Sequence, residues 1–179
     1  MRRMAACVTL SSLLMMGSTA ADPKAASDMS HPQQPASAEF QKIRALAGTW
    51  KGTAVEMDGT ERPAVVEYLV TSGGSAVVET LFPGTDHAMV SVYHQRNGRL
   101  AMTHYCMLGN QPQLGLTKAT ADEIDLSLIP GPSVDEANDS HMHSLTLTWA
   151  DADHVKQTWT LFEHGKPAGS TTFTLARER

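Results

Sequence analysis

Apolar and polar residues alternate with a period of two along most of the chain, from Thr49 to Arg177. In a strand, that period puts one set of side chains on a buried face and the other in solvent. It predicts strands over Thr49–Met57, Ala64–Thr71, Ser75–Phe82, His87–Arg96, Arg99–Met107, Gln113–Lys118, Glu123–Ile129, His141–Ala150, His154–His164 and Ser170–Arg177. The breaks carry turn chemistry: Asp58-Gly59, Gly73-Gly74, Pro83-Gly84, Asn97-Gly98, Pro130-Gly131-Pro132 and Gly165-Lys166-Pro167. Before Gly48 the period is helical. Ser37 caps a short helix over Ala38–Ala47, with Phe40, Ile43 and Ala47 on one face and Gly48 in the C-terminal glycine position. Short strands joined mostly by tight turns form a meander, which hides its edges best by closing on itself. The expected fold is therefore all-β: an antiparallel up-and-down β-barrel of about ten strands with a short N-terminal helix. The polar, acidic loop from Pro130 to Ser140 is expected at a barrel mouth.

The start of the chain changes this picture. Arg2 and Arg3, an apolar run from Met4 to Met16, and the small residues Gly17 to Ala21 have the three parts of a secretory signal. The run is shorter than the ~20 apolar residues of a bilayer-spanning helix. Residues 1–21 are thus expected to be a signal peptide, 22–36 a flexible Pro/Ser/Ala/Gln leader, and 37–179 the barrel domain. The protein is expected to be exported, periplasmic or secreted, with no transmembrane segment in the mature chain. Cleavage would remove two arginines, leaving 12 basic and 19 acidic side chains, a balance that argues against nucleic acid as a partner. Cys106 would then be the one remaining cysteine, so no internal disulfide is expected.

At Gly48-Thr49-Trp50 the sequence resembles the lipocalin and calycin group, whose folds open with a short helix and a Gly-x-Trp at the start of the first strand. The resemblance implies a basic side chain packed over that Trp from near the end of the barrel, and Arg177 is in position for it. Three stretches resemble uncharacterised bacterial lipocalin-like proteins, labelled as domains of unknown function: Ser75 to Gly84, Thr103 to Cys106 with Gly109 to Pro112, and His141-Met142-His143. This resemblance covers Gly48 to the C-terminus and implies a barrel without a reaction. The chain is also distantly similar to nitrobindin-type haem barrels. It lacks their glycine-rich first strand ending in Tyr-Pro, so haem is not expected.

Two pairs of residues carry metal-capable chemistry. Side chains at i and i+2 of a strand share a face, ~7 Å apart. His104 and Cys106 form one such pair, and His141 and His143 another. The second pair shares the more apolar face with Leu145, Leu147 and Trp149, so it is expected to point inward. A two-residue Asn97-Gly98 turn sets Arg96 opposite Arg99, Ser91 opposite His104 and Met89 opposite Cys106; a β-bulge would reverse such face assignments. With both pairs inward, one cavity would hold three imidazoles and a thiol, a set suited to zinc, copper or iron. Glu79, on a face with Val77 and Leu81, needs a partner inside a barrel. Glu79, Tyr93, Asn110, Gln111 and Trp159 are the expected ligand-binding residues, with Trp50, Trp149 and the leucines as further apolar wall.

No nucleophile elbow, phosphate loop, Cys-x-x-Cys or His-Glu-x-x-His is present. The expected function is an exported barrel that binds a small molecule beside a polar His/Cys/Glu cluster. The alternatives are a metal-binding barrel, with catalysis left open, and a structural envelope protein with a filled interior.

Overall fold

The computed structural model describes residues 35–179. The expected signal peptide, and all of the expected leader but Pro35 and Ala36, lie outside the described residues. Ala36 packs against the core, and Pro35 accepts a hydrogen bond from Gln95 Nε2 at 3.2 Å, so the chain is already docked before the helix begins.

Helix α1 spans Ala38–Ala45. Ser37 Oγ caps it by accepting from the Phe40 amide at 3.2 Å, and Lys42 and Arg44 sit near its negative end. Its buried face is Phe40, Ile43 and Leu46; Ala47, expected on that face, is exposed. The helix stops two residues earlier than expected, and Leu46, its C-cap, folds in as the third buried apolar side chain.

Ten strands follow: β1 (Gly48–Val55), β2 (Glu61–Thr71), β3 (Ala76–Leu81), β4 (Met89–Arg96), β5 (Arg99–Tyr105), β6 (Gln113–Ala119), β7 (Glu123–Leu128), β8 (His141–Asp151), β9 (His154–Glu163) and β10 (Lys166–Arg177). Each pairs antiparallel with its sequence neighbours, and β1 pairs with β10 from Trp50↔Arg177 to Val55↔Thr172, closing the barrel. Closure leaves the sheet without a free edge strand. Strand β2 begins before its expected start and runs through Pro63. There it pairs with β1 alone, since β3 joins only from Val66, so proline's missing N–H is tolerated.

The two ends of the barrel differ. At one end α1 fills the opening. Trp50 Nε1 donates to Leu46 O at 2.7 Å, and the Arg177 guanidinium lies 4.3 Å over the Trp50 ring while donating to Ala45 O and Ala47 O, both at 2.8 Å. Trp149 belongs to this end too, with Lys42 Nζ 5.5 Å from its ring, so neither it nor Trp50 walls the cavity described below. At the other end the loops 56–60, 82–88, 106–112 and 129–140 surround an opening.

Candidate functional site

Inward positions on strands in the closed half are filled by Val66, Val77, Leu100, Met102, Leu114, Ile124, Leu126, Leu145 and Leu147, all buried. Toward the open end the filling stops, and a cavity of about 350 Å³ remains. Its walls are largely apolar: Leu81, Phe82, Met89, Met142, Trp159, Leu161 and Phe173. Met57, Met107 and Leu108 are exposed at its mouth, where Arg62 Nε pairs with Glu56 Oε1 at 3.1 Å.

Under the cavity lies a buried polar network. Glu79 Oε1 accepts from Tyr68 Oη at 2.7 Å and from Gln157 Nε2 at 2.7 Å, and Oε2 accepts from Tyr93 Oη at 3.1 Å. Ser91, also buried, lies opposite Glu79 in the β3–β4 register. Gln157 Nε2 also donates to Tyr68 Oη at 2.5 Å, and its Oε1 accepts from Trp159 Nε1 at 3.0 Å. Burial pushes the Glu79 carboxyl above its ordinary range, while its hydrogen-bond donors pull it back. Burial also raises both tyrosines well above theirs.

His104 lies at the floor of the cavity. Its Nδ1 lies 3.0 Å from Ser91 Oγ, and its ring lies against Trp159 with centroids 4.6 Å apart. The residue is 1% exposed, lines the cavity, and its Nε2 has no hydrogen-bond partner among the described residues. Burial lowers its pKa to about 4, so the ring is neutral in neutral water.

The pairing Ser91↔His104 follows from the Arg96↔Arg99 turn register, as expected. Cys106 lies just past β5, in a turn where its amide donates to Asn110 O at 3.1 Å; it still lines the cavity, and burial raises its thiol pKa.

His141 and His143 are placed differently from the expectation. A bulge between Met142 and Ser144 shifts the β8 register, with Met142↔Leu161 on one side of it and Leu145↔Trp159 on the other. Met142 takes the cavity face, and the two histidines move to the opposite side of the strand. There His141 Nε2 lies 3.2 Å from His143 Nδ1, His141 Nδ1 contacts Asp139 O at 2.8 Å, and His143 stacks on Phe162 at 3.7 Å. The expected set of four metal-capable residues is thus divided into two separate pairs. Among the described residues no three His, Cys, Asp or Glu side chains converge as a metal-holding group.

Of the other expected residues, Trp159 lines the cavity, whereas Glu79 and Tyr93 lie beneath it. Asn110 Nδ2 ties its loop to Ser140 O at 2.8 Å, and Gln111, exposed, donates to Gly109 O at 3.3 Å. Both are loop-bracing contacts. The sequence reading missed Tyr68 and Gln157 as members of the network and Ser91 as its neighbour. The alternation along β2 and β4 marks Tyr68 and Ser91 as inward, and a polar group at an inward position was the available signal.

No family model matches the sequence, and no curated protein matches it. Among solved structures, the chain is similar to a protein of unknown function from the DUF3598 family of Nostoc punctiforme, with a TM-score of 0.51 and 14% identity. That match covers 76% of this chain and 49% of the other, so the chain spans about half the length of the protein it resembles. A redesigned β-barrel is also similar, with a TM-score of 0.37, 19% identity, and coverage of 77% and 96%. The first likeness shows the fold alone. The closed barrel of ten strands fits a lipocalin-like fold.

Proposed function

We propose that this protein binds a small, largely apolar molecule in the open end of its barrel. The observation that carries the reading is a walled cavity of about 350 Å³ whose buried floor histidine has a ring nitrogen without a hydrogen-bond partner among the described residues. Ligand sites combine apolar walls with a few placed polar groups in this way. At ~30 Å³ per water, the space equals about a dozen waters, which sets the occupant at roughly a dozen non-hydrogen atoms. The signal-like N-terminus supports an exported protein, checked by fractionation of cells expressing the full chain.

Saturable binding of apolar probes of this size, one per chain by calorimetry, is the expected result. Met142→Trp, which fills the cavity from its wall, should abolish it while the fold persists. No saturable binding by the wild type would overturn the reading.

A second reading, a soft-metal site for copper, is favoured by one grouping. Met57, Met89, Met107 and Met142 line the same cavity as Cys106 and His104, and thioether, thiolate and imidazole suit that metal. Elemental analysis after copper loading and dialysis decides it: about one copper per chain supports this reading, and none removes it.

A further inference from the structure

The bulge in β8 has a second effect. Residues two apart on a regular strand stand ~7 Å from each other. His141 and His143 lie instead with Nε2 of the first 3.2 Å from Nδ1 of the second, across the register shift between Met142 and Ser144. Each ring is held by a contact of its own. His141 is fully buried, with Nδ1 2.8 Å from the carbonyl oxygen of Asp139. A carbonyl oxygen can only accept, so the ring hydrogen is on Nδ1, and in the neutral ring Nε2 carries a lone pair. His143 is half-buried and stacked on Phe162, with centroids 3.7 Å apart and planes within 10°. In one tautomer His143 Nδ1 donates to His141 Nε2; in the other it presents a second lone pair beside the first.

From this geometry we propose that His141 Nε2 and His143 Nδ1 form a two-point chelate for a divalent transition cation such as zinc. Two imidazole nitrogens bound to one tetrahedral zinc stand ~3.3–3.4 Å apart, close to the separation of 3.2 Å in the barrel. The Asp139 carbonyl is the kind of outer partner that fixes the tautomer and orientation of a ligating histidine. Moving the His143 hydrogen from Nδ1 to Nε2 frees the second lone pair, with no proton gained or lost by the ring. The loop leading into β8 carries Asp135, Glu136 and Asp139, a charge that favours a cation at this end. Among the described residues no third His, Cys, Asp or Glu side chain completes the pair. The remaining positions fall to water or to an anionic group from outside, which makes the site exchangeable rather than closed. It lies on the opposite side of β8 from Met142 and the cavity, so it does not depend on the ligand-binding reading.

The experiment is a calorimetric titration of the purified, untagged protein with zinc chloride in neutral buffer. One zinc per chain is expected. His143→Ala, which leaves the His141 contact with Asp139 in place, should bind at least tenfold more weakly. Cys106→Ser, which alters the other pair of metal-capable residues, should bind as the wild type does. No zinc in the wild type overturns the proposal, and so does equal affinity in His143→Ala. A tenfold loss in Cys106→Ser assigns the ion to the cavity and overturns it too. If His143→Ala does not fold, nitrogen NMR of the wild type decides: zinc-dependent shifts of His141 Nε2 and His143 Nδ1 support the chelate, and unmoved resonances overturn it. Failure of apolar probes to bind in the cavity would leave each of these results standing.

Discussion

The Trp159 and His104 rings touch at the cavity floor, their centroids 4.6 Å apart and their planes tilted by 39°. Each ring is held from behind by a polar side chain, Trp159 by Gln157 and His104 by Ser91. Trp159→Phe keeps a ring against His104 but removes the N–H that orients Gln157. The buried amide oxygen then loses its donor, at a cost of about 1–3 kcal/mol in addition to lost packing. Urea denaturation measures it. A variant as stable as the wild type would remove the indole as the group that sets the amide's direction.

Stability should fall on mild acidification, and His104 should be a main cause. Its pKa drops from 6.5 to about 4 in the fold, so between those values the unfolded chain binds a proton that the folded chain refuses. The contribution is fully present above 6.5 and is lost as the pH falls toward 4, amounting to roughly 3 kcal/mol. His143, also lowered by burial, acts in the same direction. Glu79, whose pKa is raised by burial, acts in the opposite one, losing stability as the pH rises past its ordinary value. Comparing wild type with His104→Phe across pH 4 to 7 isolates the histidine: the variant should show the shallower slope. Parallel curves would mean that His104 titrates as it does in the unfolded chain.

The barrel was legible in the sequence because each tight turn resets the period of two, and turn residues such as Asn97-Gly98 fix register locally. That register carried through to Ser91↔His104. The site was harder to read because it depends on features that alternation does not encode. The bulge after Met142 adds one residue to β8 and exchanges the faces of Met142 and His143, so the residue that looked like filler lines the cavity. The Glu79 network joins residues from β2, β3, β4 and β9, up to 89 positions apart. Glu79 signalled that it needed a partner, but no local pattern named Tyr68 or Gln157.

The helix end and the cavity end should be separable by mutation. Arg177 stacks on Trp50 at 4.3 Å and donates to two carbonyls at the end of α1, so it ties the plug to the last strand. Arg177→Lys keeps the charge but cannot stack as a plane or bridge both carbonyls. A loss of about 1–2 kcal/mol in denaturant is expected, with probe affinity unchanged, because the contacts lie at the end opposite the cavity. A matching loss of affinity would mean that the two ends are coupled.

Cys106 gives a direct readout of cavity occupancy. Its thiol is half-buried in the cavity wall, and burial raises its pKa, so the reactive thiolate is scarce at neutral pH. Alkylation by iodoacetamide should therefore be slow near pH 7 and rise steeply only above the ordinary thiol range. Occupancy adds a steric block, since a molecule in the cavity covers the sulfur without changing the bulk pH. Saturating nonan-1-ol should slow alkylation of Cys106 at least fivefold, followed by mass spectrometry of the peptide that contains it. Met142→Trp should slow it without any probe, because the indole occupies the same space. If the rate is indifferent to both, Cys106 reacts from outside the barrel, and the cavity is not the route to its sulfur.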